Sequence, residues 1–335
     1  MNETRNNNHR QHRPPPSIRS VGRALVLAVA LACLVITPAS LAQTNLPDPA
    51  PSLVYIADSE NQRLNRRLRE LLTAAFGESV MIRSFVAGQS SQDTKSPVIA
   101  IGPTAFTRVL EENKRVPVLG LLVEEAYVRA SSESSESSDS KVSAVLSAPP
   151  LMRQVAIGKA ILPYSTRVAM LARPDTEHLY DPVMKDLHQL GMEGRVFLVP
   201  SDERLIPTLI RALDYGDFVL AAPDGTIYNP RTIKHILLTA YRRMRIVIGP
   251  SQAYVKAGSL ASSYTPLSAV AVMATDYVQH FWENDQFPKP AYPTDFGIEI
   301  NRQVGRSLNI PLPERQTLID SVRRRLDSVE APKNE

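Results

Sequence analysis

Residues 218–258 constrain the fold of this chain more than any other stretch. An apolar run at 218–222 stops at the turn residues 223–225, and a segment with helical periodicity follows at 233–243. A second apolar run, 246–248, then breaks at Gly249-Pro250. This order predicts a strand, a helix and a second strand parallel to the first. Since the carboxyl ends of parallel strands share one edge of a sheet, the two turns that follow them should lie together.

The same alternation runs through most of the chain. Apolar runs predict further strands at 53–57, 80–85, 98–101, 116–123, 142–146, 167–172, 196–199 and 296–300. Helical periodicity predicts helices at 60–76, 105–112, 153–161, 181–190, 204–213, 267–282, 302–308 and 314–329. Alternation of this kind predicts an α/β fold with mainly parallel, doubly wound sheets. A chain of 335 residues is long enough for two such lobes.

The first 42 residues have the pattern of a secretory signal peptide. A polar stretch with five arginines precedes an apolar run at 24–36, and Ser40-Leu41-Ala42 resembles an A-x-A cleavage site. We therefore expect cleavage after residue 42, export to the periplasm, and a proline-rich linker at 43–51. Lipidation of Cys33, the only cysteine, is an alternative, as is an uncleaved anchor. Cys33 lies inside the apolar run rather than at its end, which favours cleavage.

Charge and motifs exclude several functions. Without residues 1–42 the chain has 33 basic and 33 acidic residues, so nothing favours a nucleic-acid partner. Motifs for a nucleophile elbow, a P-loop and a dinucleotide site are absent, and the histidines beyond residue 42 lack metal-ligand spacing. We expect no catalytic residues, no cofactor and no metal. The segment 131–140 consists of serine and acidic residues, and we expect a loop there.

Polar side chains follow the ends of several predicted strands, where an open parallel sheet places its ligand. Helix amino termini at the same edge offer free N–H groups to an anion. The candidate ligand-binding residues are Asp58, Ser59, Thr104, Glu124, Asp175, Asp224, Thr226, Ser251 and Tyr254. Structural roles remain open for several of them: Thr104 as a helix cap, Asp224 and Thr226 as turn formers, and Tyr254 in packing.

Particular residues of the chain resemble a known family. The runs 223–229 (PDGTIYN), 232–233 and 236–242 (ILLTAYR) are similar to substrate-binding proteins of ABC transporters whose characterised relatives bind aromatic amino acids. The similarity continues through 248–258 and returns at 301–304 and Leu308, with looser agreement at 101–105 and 149–163. It covers residues 52–312 and is strongest in the last third.

The resemblance implies a type I periplasmic-binding fold: two doubly wound parallel-sheet lobes joined by a three-segment hinge. One lobe would comprise 52–145 plus 266–290 and the other 146–265 plus 291–325, with a tail at 326–335. The hinge segments would lie near 141–148, 262–266 and 290–295.

The resemblance also implies a monomer that closes around a small organic ligand and meets a membrane permease. At 122–126, Leu-Val-Glu-Glu-Ala stands where relatives that bind amino acids often have a Ser/Thr-rich segment with Asp-Pro. The ligand class therefore stays open. A periplasmic sensor or scaffold that acts through a membrane receptor or signalling partner is the alternative.

Overall fold

The computed structural model describes residues 52–86, 95–112, 116–125, 127–129 and 141–330. The predicted signal peptide (1–42), the linker (43–51) and the serine-rich segment 131–140 lie outside these residues. Within the described ranges, none of the helices is both long and apolar enough to span a bilayer.

Strands and helices alternate along the described chain. The strands are β1 (Ser52–Ala57), β2 (Val80–Ser84), β3 (Val98–Ile101), β4 (Val118–Val123), β5 (Val142–Leu146), β6 (Arg167–Ala172), β7 (Glu193–Leu198), β8 (Phe218–Leu220), β9 (Ile246–Ile248), β10 (Ala261–Tyr264) and β11 (Gly297–Ile300). The helices are α1 (Gln62–Phe76), α2 (Gly102–Glu112), α3 (Leu151–Ile161), α4 (Asp181–Asp186), α5 (Leu205–Tyr215), α6 (Ile233–Arg242), α7 (Gln252–Ala257), α8 (Leu267–Asn284), α9 (Arg302–Ser307) and α10 (Arg315–Glu330).

The strands form two sheets, each covered by helices on both faces. The N-terminal sheet has the order β2-β1-β3-β4-β5 and is wholly parallel. The C-terminal sheet has the order β11-β10-β9-β8-β6-β7, and only its edge strand β11 is antiparallel. The predicted α/β class with doubly wound, mainly parallel sheets is therefore confirmed. We refer to each sheet with its packed helices as the N-terminal and the C-terminal lobe.

Continuous apolar runs produce the central strands. All four residues of β3 are buried, as are all three of β8 and of β9. A strand covered on both faces needs this uniform hydrophobicity, in contrast to the alternation of a half-exposed strand. Helix α1 begins where the Asn61 side chain accepts the Leu64 N–H at 3.1 Å, and it buries Leu68, Leu72 and Phe76 against the N-terminal sheet.

The chain passes between the lobes three times: from β5 to α3, from β10 to α8, and from α8 to β11. The third passage is attached to both lobes. Ala291 extends the edge of the N-terminal sheet, because its carbonyl accepts the Leu146 N–H at 3.0 Å. On the other side, the buried Arg153 of α3 donates to the Pro293 carbonyl at 3.3 Å.

Among the strands, the structure differs most from the sequence prediction at two. Strand β10 was not predicted, because its residues Ala261-Ser262-Ser263-Tyr264 are small or polar. It forms in the interior because Gln154 accepts the Ser263 N–H at 3.0 Å and donates to the Ser262 hydroxyl at 3.2 Å. Strand β7 begins three residues earlier than predicted, since an edge strand tolerates the polar residues Glu193-Gly194-Arg195.

Helix α3 packs closely on strand β8, and a first prediction follows from this contact. A Cβ at Gly158 would lie 2.4 Å from Cζ of the buried Phe218. We expect Gly158→Ala to lower the free energy of unfolding by about 1–2 kcal/mol, because the overpacking exceeds the gain in helix propensity. Urea unfolding measures it. The control Gly225→Ala has no neighbour within 4 Å. It should change stability by less than about 0.5 kcal/mol, and equal effects of the two substitutions would contradict the packing argument.

Candidate functional site

The loop after β8 is organised around the Asp224 carboxylate. One oxygen accepts the Thr226 N–H at 2.8 Å and the Thr226 hydroxyl at 2.5 Å. The other accepts the Thr176 hydroxyl at 2.6 Å, so Asp224 joins the loop after β8 to the loop after β6. Asp224 is 4% exposed. Its carboxylate therefore shapes this edge of the C-terminal sheet from below the surface.

Two opposing effects set the pKa of Asp224. Burial alone would raise it, but hydrogen bonds from the Thr176 and Thr226 side chains and from backbone N–H groups outweigh burial and lower it. Asp224 is therefore held as an anion by its own loop together with Thr176 of the loop after β6.

Three tyrosines surround this loop. The buried Tyr180 hydroxyl accepts the Ala222 N–H at 3.0 Å and donates to the Leu171 carbonyl at 3.1 Å. Tyr228 is 2% exposed, and burial raises its pKa. Tyr254 is half-buried, donates its hydroxyl to the Tyr228 carbonyl, and meets the Tyr228 ring edge-on at 6.5 Å between centroids. These rings pack the lobe together, and only part of Tyr254 reaches solvent.

The remaining candidates of the C-terminal lobe lie nearer the surface. Asp175 is exposed and makes no side-chain hydrogen bond within the described ranges. Nearby Arg173 donates to the Val199 carbonyl at 3.1 Å and pairs with Asp202, which fastens the loops after β6 and β7 together. Ser251 precedes α7 but does not cap it with its side chain. Asp175 therefore has hydrogen-bonding capacity left for another molecule.

In the N-terminal lobe, the two candidates after β1 are bound within the protein. The Asp58 carboxylate forms a two-point ion pair with Arg69 of α1, at 2.8 and 3.2 Å. The Ser59 hydroxyl donates to the Asn65 side chain at 2.6 Å, and the Ser59 carbonyl accepts from it at 2.7 Å. Both residues fix the turn between β1 and α1.

The candidates after β3 and β4 remain exposed. Thr104 lies in the first turn of α2, and Glu124 follows the last residue of β4. Among the described residues, neither side chain forms a hydrogen bond or ion pair. Gly102 opens α2 with a φ of +83°, a conformation that favours glycine and brings this helix start directly onto the strand end.

Eight of the nine candidates fall into two sets, and the partly buried Ser251 belongs to neither. Asp58, Ser59, Asp224, Thr226 and Tyr254 are engaged by neighbouring residues of their own lobe. Thr104, Glu124 and Asp175 are exposed at strand ends and have no such partner in the described ranges. A site on these edges would use the second set for direct contacts and the first set for loop shape.

Sequence reasoning missed a cavity of about 480 Å³ beside the third passage. Its lining includes Glu125 from the N-terminal lobe, Arg153 from the C-terminal lobe and Tyr292 from the passage. The Tyr292 hydroxyl donates to Glu125 at 3.4 Å, and burial, with Glu125 next in importance, raises the pKa of Tyr292 to about 12. The signals in the sequence were an arginine on a mainly apolar helix and a tyrosine between two prolines.

Metal binding has no support in the geometry. Within the part of the chain that the structure describes, no group of histidine, cysteine, aspartate and glutamate side chains is arranged to hold a metal ion.

The lowered pKa of Asp224 leads to a second prediction, which concerns the pH dependence of stability. A carboxylate with a depressed pKa contributes stability above its ordinary value of 3.8 and loses that contribution as the pH falls through its lower folded value. Asp224→Asn should therefore cost about 1–3 kcal/mol of unfolding free energy at pH 6, and the difference from wild type should shrink below pH 3.8. Urea unfolding at several pH values measures this.

The matched control for this prediction is Asp175→Asn. Because Asp175 is exposed and unpartnered in the described residues, the substitution should change stability by less than about 0.5 kcal/mol at every pH. A constant cost for Asp224→Asn between pH 6 and pH 3 would contradict an ionised Asp224.

Sequence comparison and structure comparison give different results. No protein-family model matches the chain, and no curated protein sequence matches it.

Several solved structures are similar over most of their length. One is a conserved domain protein from Vibrio cholerae O1 biovar El Tor, with 15% identity, 81% of this chain and 98% of that chain covered, and a TM-score of 0.51. Another is the ligand-free, open form of CD0873, a substrate-binding protein with adhesive properties from Clostridium difficile (13% identity, 79% and 97% covered, TM-score 0.62). A third is an ABC domain from Streptococcus pneumoniae in complex with L-Trp (14% identity, 81% and 98% covered, TM-score 0.50).

At 13–15% sequence identity, these similarities establish a shared fold and nothing about function. The expected resemblance to substrate-binding proteins of ABC transporters is confirmed at that level, and the described chain has the type I periplasmic-binding fold.

Proposed function

We propose that this protein is an exported solute-binding protein that closes around a small organic ligand and presents it to an ABC transporter. The observation that carries the proposal is the position of Thr104, Glu124 and Asp175. They are exposed at the carboxyl ends of parallel strands in both lobes, and no residue in the described ranges engages their side chains. Parallel α/β sheets bind their ligands at this edge.

Each candidate contact has a distinct chemistry. The Thr104 hydroxyl and the free N–H groups at the start of α2 suit a carboxylate or another polar acceptor on the ligand. Glu124 and Asp175 suit ligand groups that donate hydrogen bonds. Asp224 and Thr226 act by holding the loop after β8 in shape. The ligand is an amino-acid-like molecule or another small metabolite.

Two lobes joined by three chain passages suit a hinge motion. A ligand that contacts both lobes favours the closed arrangement because it binds that arrangement more tightly. A membrane permease would then recognise the closed protein. Cleavage after residue 42 would release a monomeric protein into the periplasm. Its lobes would comprise residues 52–145 plus 266–290 and residues 146–265 plus 291–325.

A sensory or scaffold protein with the same fold is the second candidate. It is favoured by the internal engagement of Asp58, Ser59 and Asp224, which leaves fewer polar groups for a solute. Such a protein would act through a membrane receptor or signalling partner.

Ligand-induced stabilisation separates these two functions. We expect one class of solute, in a panel of amino acids, sugars and other small metabolites, to raise the midpoint of thermal unfolding. A ligand at about 100 times its dissociation constant adds about 2.7 kcal/mol of stability. If no solute class shifts the midpoint and native mass spectrometry finds no ligand in the purified protein, solute binding is excluded and the sensory role is favoured.

The solute identified in that panel then tests Thr104. We expect Thr104→Ala to weaken its affinity about five- to tenfold through loss of one hydrogen bond, without a change in thermal stability. Isothermal titration calorimetry measures the affinity. Thr73→Ala is the matched control, since Thr73 is exposed on α1 away from the strand ends. Unchanged affinity in Thr104→Ala would remove Thr104 from the site.

A further inference from the structure

Helix α6 has a buried face and an unusual exposed face. Ile236, Leu237 and Ala240 pack into the core of the C-terminal lobe. On the opposite side, Leu238 and Tyr241 are 42% and 43% exposed. These two residues are three positions apart and therefore neighbours on the helix surface. The outward face of α6 thus presents apolar side chains to solvent.

Met244 extends this apolar surface from an unfavourable backbone position. It follows the end of α6 with a φ of +54° and is 58% exposed. The Met244 N–H donates to the Tyr241 carbonyl at 2.9 Å, and the Arg245 N–H donates to the Ala240 carbonyl at 3.0 Å. Helices that end in this left-handed conformation usually have glycine there. A methionine at this position strains the backbone and leaves more than half of its surface exposed.

Cations flank the apolar side chains. Lys234 and Arg242 lie one helical turn on either side of Leu238, both are exposed, and neither forms an ion pair in the described residues. The range 233–242 contains no acidic residue, and Arg243 just beyond it is paired with Asp214 at 2.5 Å. Because basic and acidic residues are equal in number beyond residue 42, this is a local excess of positive charge.

Helix α1 provides an internal comparison. It also has unpaired, exposed arginines, Arg63 and Arg66, while Arg67 and Arg69 pair with Glu70 and Asp58. Among the described residues, α1 has no exposed large apolar side chain. Positive charge alone therefore occurs elsewhere on the protein, whereas α6 combines it with exposed Leu, Tyr and Met.

We propose that this face of α6, formed by Lys234, Leu238, Tyr241, Arg242 and Met244, docks the protein onto an anionic phospholipid surface. The cations would pair with phosphate groups, and the apolar side chains would enter the boundary between headgroups and acyl chains. A protein partner would have to place acidic groups at fixed positions around an apolar depression. A lipid surface supplies anionic groups wherever the cations fall, so the lipid surface is the occupant that this charge pattern favours.

Vesicle binding tests the proposal. The chain, expressed with its own N-terminal segment and purified from the periplasmic fraction, is mixed with vesicles of phosphatidylcholine alone or with an equal share of phosphatidylglycerol. We expect binding to the anionic vesicles only. Lys234→Gln with Arg242→Gln should lower the partition coefficient on the order of 25-fold, about fivefold for each lost cation. Leu238→Ser with Tyr241→Ser should also lower it severalfold.

Two further variants keep the proposal falsifiable. Met244→Gly should weaken vesicle binding and raise the thermal midpoint, because glycine relieves the left-handed backbone. Arg63→Gln with Arg66→Gln removes the same charge from α1 and should leave binding within twofold of wild type. If the α1 and α6 charge variants lose vesicle binding equally, binding depends only on net charge and the proposal is overturned.

A crosslinking experiment distinguishes a protein partner from the lipid surface. A photo-crosslinker at position 238 should form lipid adducts in cells. Absence of binding to anionic vesicles, together with adducts to a protein alone, would overturn the lipid assignment. None of these readouts uses a solute, so they succeed or fail independently of the proposed solute-binding function.

Discussion

The third passage between the lobes is the connection on which the arrangement of this protein depends. Three successive residues are held by different elements: Ala291 by the backbone of β5, Tyr292 by Glu125 after β4, and Pro293 by Arg153 of α3. Arg153 is 6% exposed, so its charge is costly to bury, and stacking on the Phe296 ring at 4.5 Å offsets part of that cost. Any change in the angle between the lobes must bend the chain here or break one of these bonds.

At the carboxyl edges of the sheets, several polar residues are held by partners inside the protein. Asp224, Asp58 and Ser59 are polar residues at strand ends, yet their oxygens are engaged by Thr176, Arg69 and Asn65. Removing one partner would leave a charge or hydroxyl unsatisfied, so these bonds fix the loops firmly. Of the groups left available, that of Asp175 lies in the loop after β6, which Thr176 fastens to Asp224. A ligand that binds Asp175 would therefore meet a loop whose ordering cost was met during folding.

The sequence predicted the fold better than it predicted the roles of single residues. Strands such as β3 are buried on both faces, so an uninterrupted apolar run identifies them, and turn residues mark where they end. Strand β10 escaped prediction because Ser262 and Ser263 are buried through Gln154, which is more than a hundred residues away along the chain. The role of Asp224 depends likewise on Thr176, 48 residues earlier. Periodicity reports local burial, whereas these hydrogen bonds exist only once distant segments have packed together.

Exposed or unpaired side chains indicate contact with another molecule only where several of them occur together. A single exposed lysine or leucine is ordinary on any protein surface. The face of α6 is different because apolar exposure, unpaired positive charge and a strained backbone at Met244 occur within eleven consecutive residues, 234–244. Selection for stability alone would favour glycine at that position and polar residues beside it. A contact outside the lobe explains all three features together, since burial on a partner would compensate both the apolar exposure and the backbone strain.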